Sequence, residues 1–158
     1  MLFFPVAPGV VAGLVPWCIS RWVLQPAFFG WQPVRIVGAI LIIAGVLELL
    51  DAFARFALQG LGTPAPIAPT RHLVVTGAYR YVRNPMYLAV FTTILGQALL
   101  FGDGRLVIYA VLVWISVHAF VVTYEEPTLR RTFGPQYEAF VTHVRRWIPR
   151  LTAWRSDR

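Results

Sequence analysis

The chain contains no lysine: all 14 basic residues are arginine, against seven acidic ones. Charged residues make up only 13% of its 158 positions. That scarcity excludes an ordinary soluble domain, in which about 25% of residues carry charge. The single cysteine, Cys18, permits no internal disulfide, and no CxxC or HExxH spacing marks a metal site. Residues 1–20 lack the basic start and small-residue cleavage site of a secretory signal, so they are expected to stay in the mature chain. Neither internal repeats nor low-complexity tracts occur.

What is abundant is apolar surface. Hydrophobic residues make up 58% of the chain, in long runs without charge. Residues 1–20, 36–47, 84–102 and 106–124 hold no ionised side chain. About 20 helical residues rise roughly 30 Å, the thickness of the hydrocarbon core. The predicted fold is therefore all-α: a polytopic transmembrane helical bundle of about four spans, 2–20, 36–56, 85–102 and 106–124. A cytoplasmic tail, 127–158, follows, and the whole is read as one domain. Pro5, Pro8 and Pro16 are expected to kink or fray the first span. Glu48, Asp51 and Arg55 share a face of the second helix, where an intrahelical salt bridge is expected. Gln97 is expected to bond across helices.

Arginine placement predicts the orientation. The N-terminus, residues 55–83 and the tail after Glu126 together carry 11 arginines, and the two remaining loops carry three. The positive-inside rule makes the richer side cytoplasmic and brings residues 59–87, Glu125, Glu126 and the tail to one membrane face. Because the arginines border apolar runs, they read as headgroup anchors, not nucleic-acid contacts. An Arg-only, Ala/Pro/Gly-rich composition suggests a bacterial inner membrane.

Polar residues concentrate on that rim, where they are costly to keep without a function. Residues 59–70 are rich in Gly and Pro yet apolar, and are expected to pack over the protein as a lid or shallow re-entrant loop. Within them, Gly60 to Ala65 fits GxGxxA, but Pro64, Pro66 and Pro69 forbid the helix a dinucleotide fingerprint must open. After Pro135, the spacing of Tyr137, Phe140, Val141, Val144 and Ile148 predicts an amphipathic helix, with Arg145, Arg146 and Trp147 at the interface.

Glu125 and Glu126 are expected at the C-terminal end of the fourth span, where the helix dipole disfavours carboxylates. Alternatively, Glu126 before Pro127 starts a new helix and pairs with Arg130. Asn84 is a natural N-cap before Pro85, and a helix N-terminus also suits an anionic ligand group. Tyr79, Tyr81 and Tyr87 fit an aromatic belt, or a ligand wall with Arg80 and Arg83. His118 reads as a hydrogen-bonded packing residue before it reads as a catalyst.

Four motifs then fall in a recognisable order: Gly77-Ala-Tyr-Arg-Tyr-Val-Arg-Asn-Pro-Met-Tyr87, Glu125-Glu126, Phe133-Gly-Pro-Gln-Tyr137 and Arg146-Trp-Ile-Pro149. Over about residues 60–150 the chain resembles the isoprenylcysteine carboxyl methyltransferase and phospholipid methyltransferase superfamily of integral membrane proteins. Asn84 stands where many members carry His. The first two spans match no motif, and acceptor selection is expected there.

The resemblance implies an enzyme that takes S-adenosylmethionine from the cytosol and a lipophilic or lipid-modified acceptor from the bilayer. Tyr79, Arg83, Asn84, Pro85 and Tyr87 would form one wall of the cofactor site. Glu125 and Glu126 would meet the cofactor's polar groups, with Tyr137 and Arg146 closing from the tail. Alignment and exclusion of water then do most of the catalysis, without a metal. A carboxylate acceptor needs no general base, whereas an ammonium must first lose a proton. Carboxyl methylation is therefore expected, with Arg80 or Arg145 holding the acceptor anion. The alternatives are a phospholipid N-methyltransferase, an NADPH-dependent membrane reductase, and a non-catalytic membrane binding protein.

Overall fold

A computed structural model describes residues 7–59, 73 and 75–155, excluding the side chains of 56–59. The expected lid, residues 59–70, lies outside them except for Gln59, which closes a helix, and so does the start of the first span. Five helices carry the described chain: α1 (Ala7–Ser20), α2 (Pro33–Gln59), α3 (Pro85–Phe101), α4 (Gly104–Phe133) and α5 (Pro135–His143). No strand occurs among the described residues.

Of these, α2 over Pro33–Arg55 and α4 over Gly104–Phe133 are long and apolar enough to cross a membrane. On α2, Ile36, Ile40, Ile43, Leu47 and Leu50 recur at helical spacing and are all exposed. Ile108, Leu112 and Ile115 do the same on α4. Such stripes would be costly in water and suit hydrocarbon. α1 and α3 are shorter, α3 at 17 residues rising about 25 Å.

Two helices contain a widened π-turn, and both turns come just before a proline. In α1 the Val15 N–H reaches back five residues to Val10 O, immediately before Pro16. In α4 the Glu126 N–H reaches Val121 O, immediately before Pro127. Proline has no N–H and clashes with the carbonyl four residues back. Slipping the ladder by one residue absorbs that clash and keeps the helix going. Pro16 therefore does not end α1, which runs on to Ser20.

This slip also corrects the placement of the glutamate pair. The fourth apolar helix does not end at Glu125 but continues to Phe133, so the two carboxylates do not face a negative helix terminus.

The chain divides into two compact units, the described parts of Met1–Leu49 with Tyr87–Val117 and of Leu50–Met86 with His118–Arg158. In the first, glycines set the packing of α2 on α3. A Cβ on Gly38 would lie 2.7 Å from Gly96 O, and one on Gly96 would lie 2.7 Å from Gly38 O. Gly45, two turns on, meets Ala89 O at the same 2.7 Å. Backbones this close tolerate no side chain at the crossing.

The π-turn of α1 leaves the Val11 and Ala12 carbonyls without helical donors. Tyr109 Oη donates to Val11 O at 2.9 Å, and Gln97 Nε2 donates to Ala12 O at 2.6 Å. Gln97 Oε1 in turn accepts from Trp22 Nε1 at 3.1 Å. The expected bond of Gln97 across helices is present, and it repairs a backbone defect.

In the second unit, Tyr137, Phe140 and Val144 are buried against Leu73, Val75, Leu129, Phe133 and Trp154. The expected amphipathic helix is shorter than its apolar spacing suggests. α5 stops at His143, and Val144 is extended at φ −114°, ψ 124°. Tyr137, Phe140 and Val144 still share one buried side, while Ile148 has left the helix and is exposed.

Candidate functional site

The polar loop begins with a tight helical turn, Gly77–Arg80, entered through Gly77 at φ +56°. Only glycine reaches this left-handed region without strain. A second constraint coincides with it: a Cβ there would run into the guanidinium of Arg55. Arg55 is itself held by Asp51, four residues back on α2, as expected (Nε to Oδ2, 2.6 Å).

Three residues further on, Arg83 Nη1 donates to Glu126 Oε1 at 2.9 Å. Arg146 grips the same carboxylate with both prongs, Nε to Oε1 at 2.6 Å and Nη2 to Oε2 at 3.0 Å. This fork-to-carboxylate geometry is the strongest an ion pair adopts. The Glu126 and Arg83 side chains are 9% and 11% exposed, so little water screens the contact. Tyr137 adjoins them within hydrogen-bonding reach of Arg83. Burial pushes its phenol up to about 12, and the Glu126 charge adds to the effect. The Glu126 hydrogen bond likewise raises Arg146 above the ordinary guanidinium value.

All four sequence motifs thus meet at one buried node. Two guanidinium groups share the one Glu126 carboxylate. Moreover, Arg83 Nε is buried with no acceptor among the described residues. The pairing expected between Glu126 and Arg130 is not made; Arg130 instead meets Glu138 at 3.2 Å on the exposed side. Helical spacing allowed the nearer pair, but the doubly held carboxylate leaves Arg130 to α5.

The tail after α5 is tied along the loop by its backbone. Arg83 N donates to Arg145 O at 2.9 Å, Arg150 N to Tyr81 O at 2.9 Å, and Trp154 N to Arg80 O at 2.9 Å. Arg80 Nε returns a bond to Trp154 O at 2.8 Å, and Asn84 Nδ2 donates to Arg146 O at 3.3 Å. The Trp154 ring packs on Phe140 and stacks on His143. Residues 144–155 are therefore a strap laid along the loop.

The second unit therefore gathers Arg80, Arg83, Asn84, Glu126, Tyr137, Arg145 and Arg146 through direct bonds. Tyr79 is half-buried in the Gly77–Arg80 turn, and Pro85 opens α3. Glu125 is half-buried in the α4 π-turn. Tyr87, in the first turn of α3, belongs to the other unit. The Arg80 side chain is committed in part to the strap, whereas that of Arg145 is exposed. His118 Nδ1 accepts from Trp147 Nε1 at 3.1 Å, which makes it a packing partner of the strap. Trp154 was not anticipated, since an aromatic near a chain end carries no pattern. Among the described residues, no three His, Cys, Asp or Glu side chains gather as a metal site.

A family model described as phospholipid methyltransferase matches residues 34–136. The nickel-cobalt-cadmium resistance protein NccN of Alcaligenes xylosoxydans xylosoxydans is 28% identical over 142 residues, covering 80% of this chain and 66% of that protein. The chain thus spans just under two thirds of that relative's length. No solved structure matches.

Proposed function

The chain belongs to the phospholipid methyltransferase family, and from that premise we propose that it transfers a methyl group from S-adenosylmethionine to a lipophilic acceptor in the bilayer. The observation that carries this reading is the buried node, in which Arg83, Glu126, Tyr137 and Arg146 tie the motifs together. The Arg83 Nε, buried and without an acceptor, fits the carboxylate of an amino-acid-like cofactor. Glu125, half-buried in the α4 π-turn next to Glu126, is the carboxylate proposed to meet the cofactor's ammonium. The Asn84-Pro85 helix start and Tyr79 complete the wall.

Glu126 has a different role from Glu125 in this reading. Gripped by two arginines, it has little capacity left for a ligand, so it positions Arg83 and Arg146. When bound, S-adenosylmethionine supplies an electrophilic methyl group: the acceptor's bond to carbon forms as the carbon–sulfur bond breaks, leaving a neutral thioether. The protein's part is to align the two partners and keep water out.

For the acceptor we favour a carboxylate. The titratable groups at the node make poor bases: Tyr137 holds its proton to about 12, and Glu126 is engaged twice. His118 uses Nδ1 to hold Trp147. An ammonium acceptor needs a base, and a carboxylate does not. Arg145, whose side chain is exposed, is the cation proposed to hold the acceptor anion, with Arg80 as the alternative. The family's description favours a second reading, an amine-bearing phospholipid. We place the protein in the inner membrane of a bacterium, with α1 to α4 all crossing and the node on the cytoplasmic side, as the arginine distribution requires.

Purified protein in nanodiscs, given methyl-tritiated S-adenosylmethionine with either a prenylated cysteine or phosphatidylethanolamine, tests the proposal. Carboxyl methylation yields label that mild alkali releases as methanol. Alkali-stable label on the phospholipid would transfer the assignment to the second reading. Failure to label any acceptor in a membrane lipid extract would refute methyl transfer.

A further inference from the structure

The strap has two sides of opposite character. Val144, Arg146, Trp147 and Trp154 are engaged with the protein, through burial, the Glu126 ion pair, His118 and Phe140. Ile148 and Leu151 are not: they are 61% and 100% exposed. Two isolated apolar side chains would be unremarkable on a surface. Their setting is not, because residues 139–155 contain four arginines and no acid.

We infer that the outer edge of this strap, Ile148 and Leu151 together with Arg150 and Arg155, is a docking surface for an anionic lipid headgroup layer. Charge complementarity argues for that occupant. A juxtamembrane arginine contributes about 1 kcal/mol of attraction to an anionic leaflet. Apolar side chains beside such cations enter the headgroup–acyl boundary, while the arginines remain at phosphate depth. A protein groove would instead need acidic residues on the partner alone, and no part of the strap offers an acid for a mixed interface.

The position also gives docking a consequence. The backbone of this segment holds the polar loop, through Arg145 O, Arg150 N and Trp154 N. Lipid that seats the outer edge therefore favours the strapped arrangement of residues 80–84. This second step rests on the function proposed above, whereas the docking itself does not.

The experiment places a nitroxide label at Leu151→Cys on a Cys18→Ser background, because Cys18 is also exposed. The full-length protein is reconstituted in nanodiscs of phosphatidylcholine, with or without phosphatidylglycerol, and label depth is read from accessibility to oxygen and to a water-soluble nickel chelate. Docking predicts that phosphatidylglycerol raises the oxygen-to-nickel accessibility ratio several-fold. It also predicts that Arg150→Gln with Arg155→Gln abolishes the rise. A label equally open to the nickel chelate in both lipids, or equally deep in both, would overturn the proposal. So would dipolar broadening between labels, which would show the edge covered by a second copy of the chain. No cofactor enters this test, so its outcome is independent of whether the protein transfers methyl groups.

Discussion

Arg83 Nη1 and Glu126 Oε1 stand 2.9 Å apart, yet the residues are separated by 43 positions in the chain. Together with Arg146, this contact joins the polar loop, α4 and the strap into one buried ion-pair node. Removing one member of such a node leaves the others charged and desolvated, which typically costs about 3–5 kcal/mol. Glu126→Ala is expected to lower stability by that order and to release the strap. Thermal unfolding in nanodiscs measures the first effect, and faster proteolysis after residue 143 measures the second.

Glu125 should behave differently from its neighbour. Glu125→Gln is expected to weaken binding of S-adenosylhomocysteine by more than tenfold. Calorimetric titration separates the two carboxylates. Wild-type affinity in this variant would remove Glu125 from the cofactor site.

Tyr137 gives the node an alkaline limit. Its phenol rises from the ordinary 10.0 to about 12 in the folded protein. Above pH 10 the unfolded chain loses this proton first, so the folded state binds more protons and stability falls as pH rises. The contribution is complete below pH 10 and disappears through the window from about 10 to about 12. Tyr137→Phe should flatten this part of the stability profile, as followed by denaturant unfolding across alkaline pH.

Gly77→Ala tests the loop's entry. The left-handed φ of +56° alone costs about 1–2 kcal/mol for a residue with a Cβ. Contact with Arg55 adds to it and pushes the guanidinium off Asp51. Stability should drop by at least the backbone amount, and Asp51→Asn should then cost less in Gly77→Ala than in the native chain. Additive losses in this double-mutant cycle would exclude the coupling.

In the first unit the decisive side chain is Gln97. Gln97→Leu strips the buried Ala12 carbonyl of its partner, at about 1–3 kcal/mol, and also releases the half-exposed Trp22 indole. Unfolding should detect this loss, and an Ala12 amide carbonyl shifted in isotope-edited infrared spectra would locate it.

The elements that were legible in sequence are those written in side chains. Charge-free runs located α2, α3 and α4, and the four polar motifs contained every member of the ion-pair node. Asp51 with Arg55, and Gln97 across helices, followed from spacing and from the cost of a polar group in an apolar helix. What stayed hidden is carried by the backbone. The π-turn before Pro127 is a one-residue slip in hydrogen bonding, and proline signals equally a slip, a kink or a helix start. Sequence alone therefore leaves Glu126 either at the end of one helix or at the start of the next beside Arg130. The strap was hidden for the same reason, since five of its ties to the loop use main-chain atoms. Tyr137, Phe140 and Val144 kept their helical spacing in burial even though the helix stops at His143.

The central claim is that an S-adenosylmethionine site is built on the Arg83–Glu126–Arg146 node, and ligand-dependent thermal unfolding of the nanodisc protein tests it most directly. S-adenosylhomocysteine near 100 times its dissociation constant should stabilise the wild type by about 2.7 kcal/mol, with no response to NADPH. A response to NADPH alone, or to neither ligand, would contradict the account.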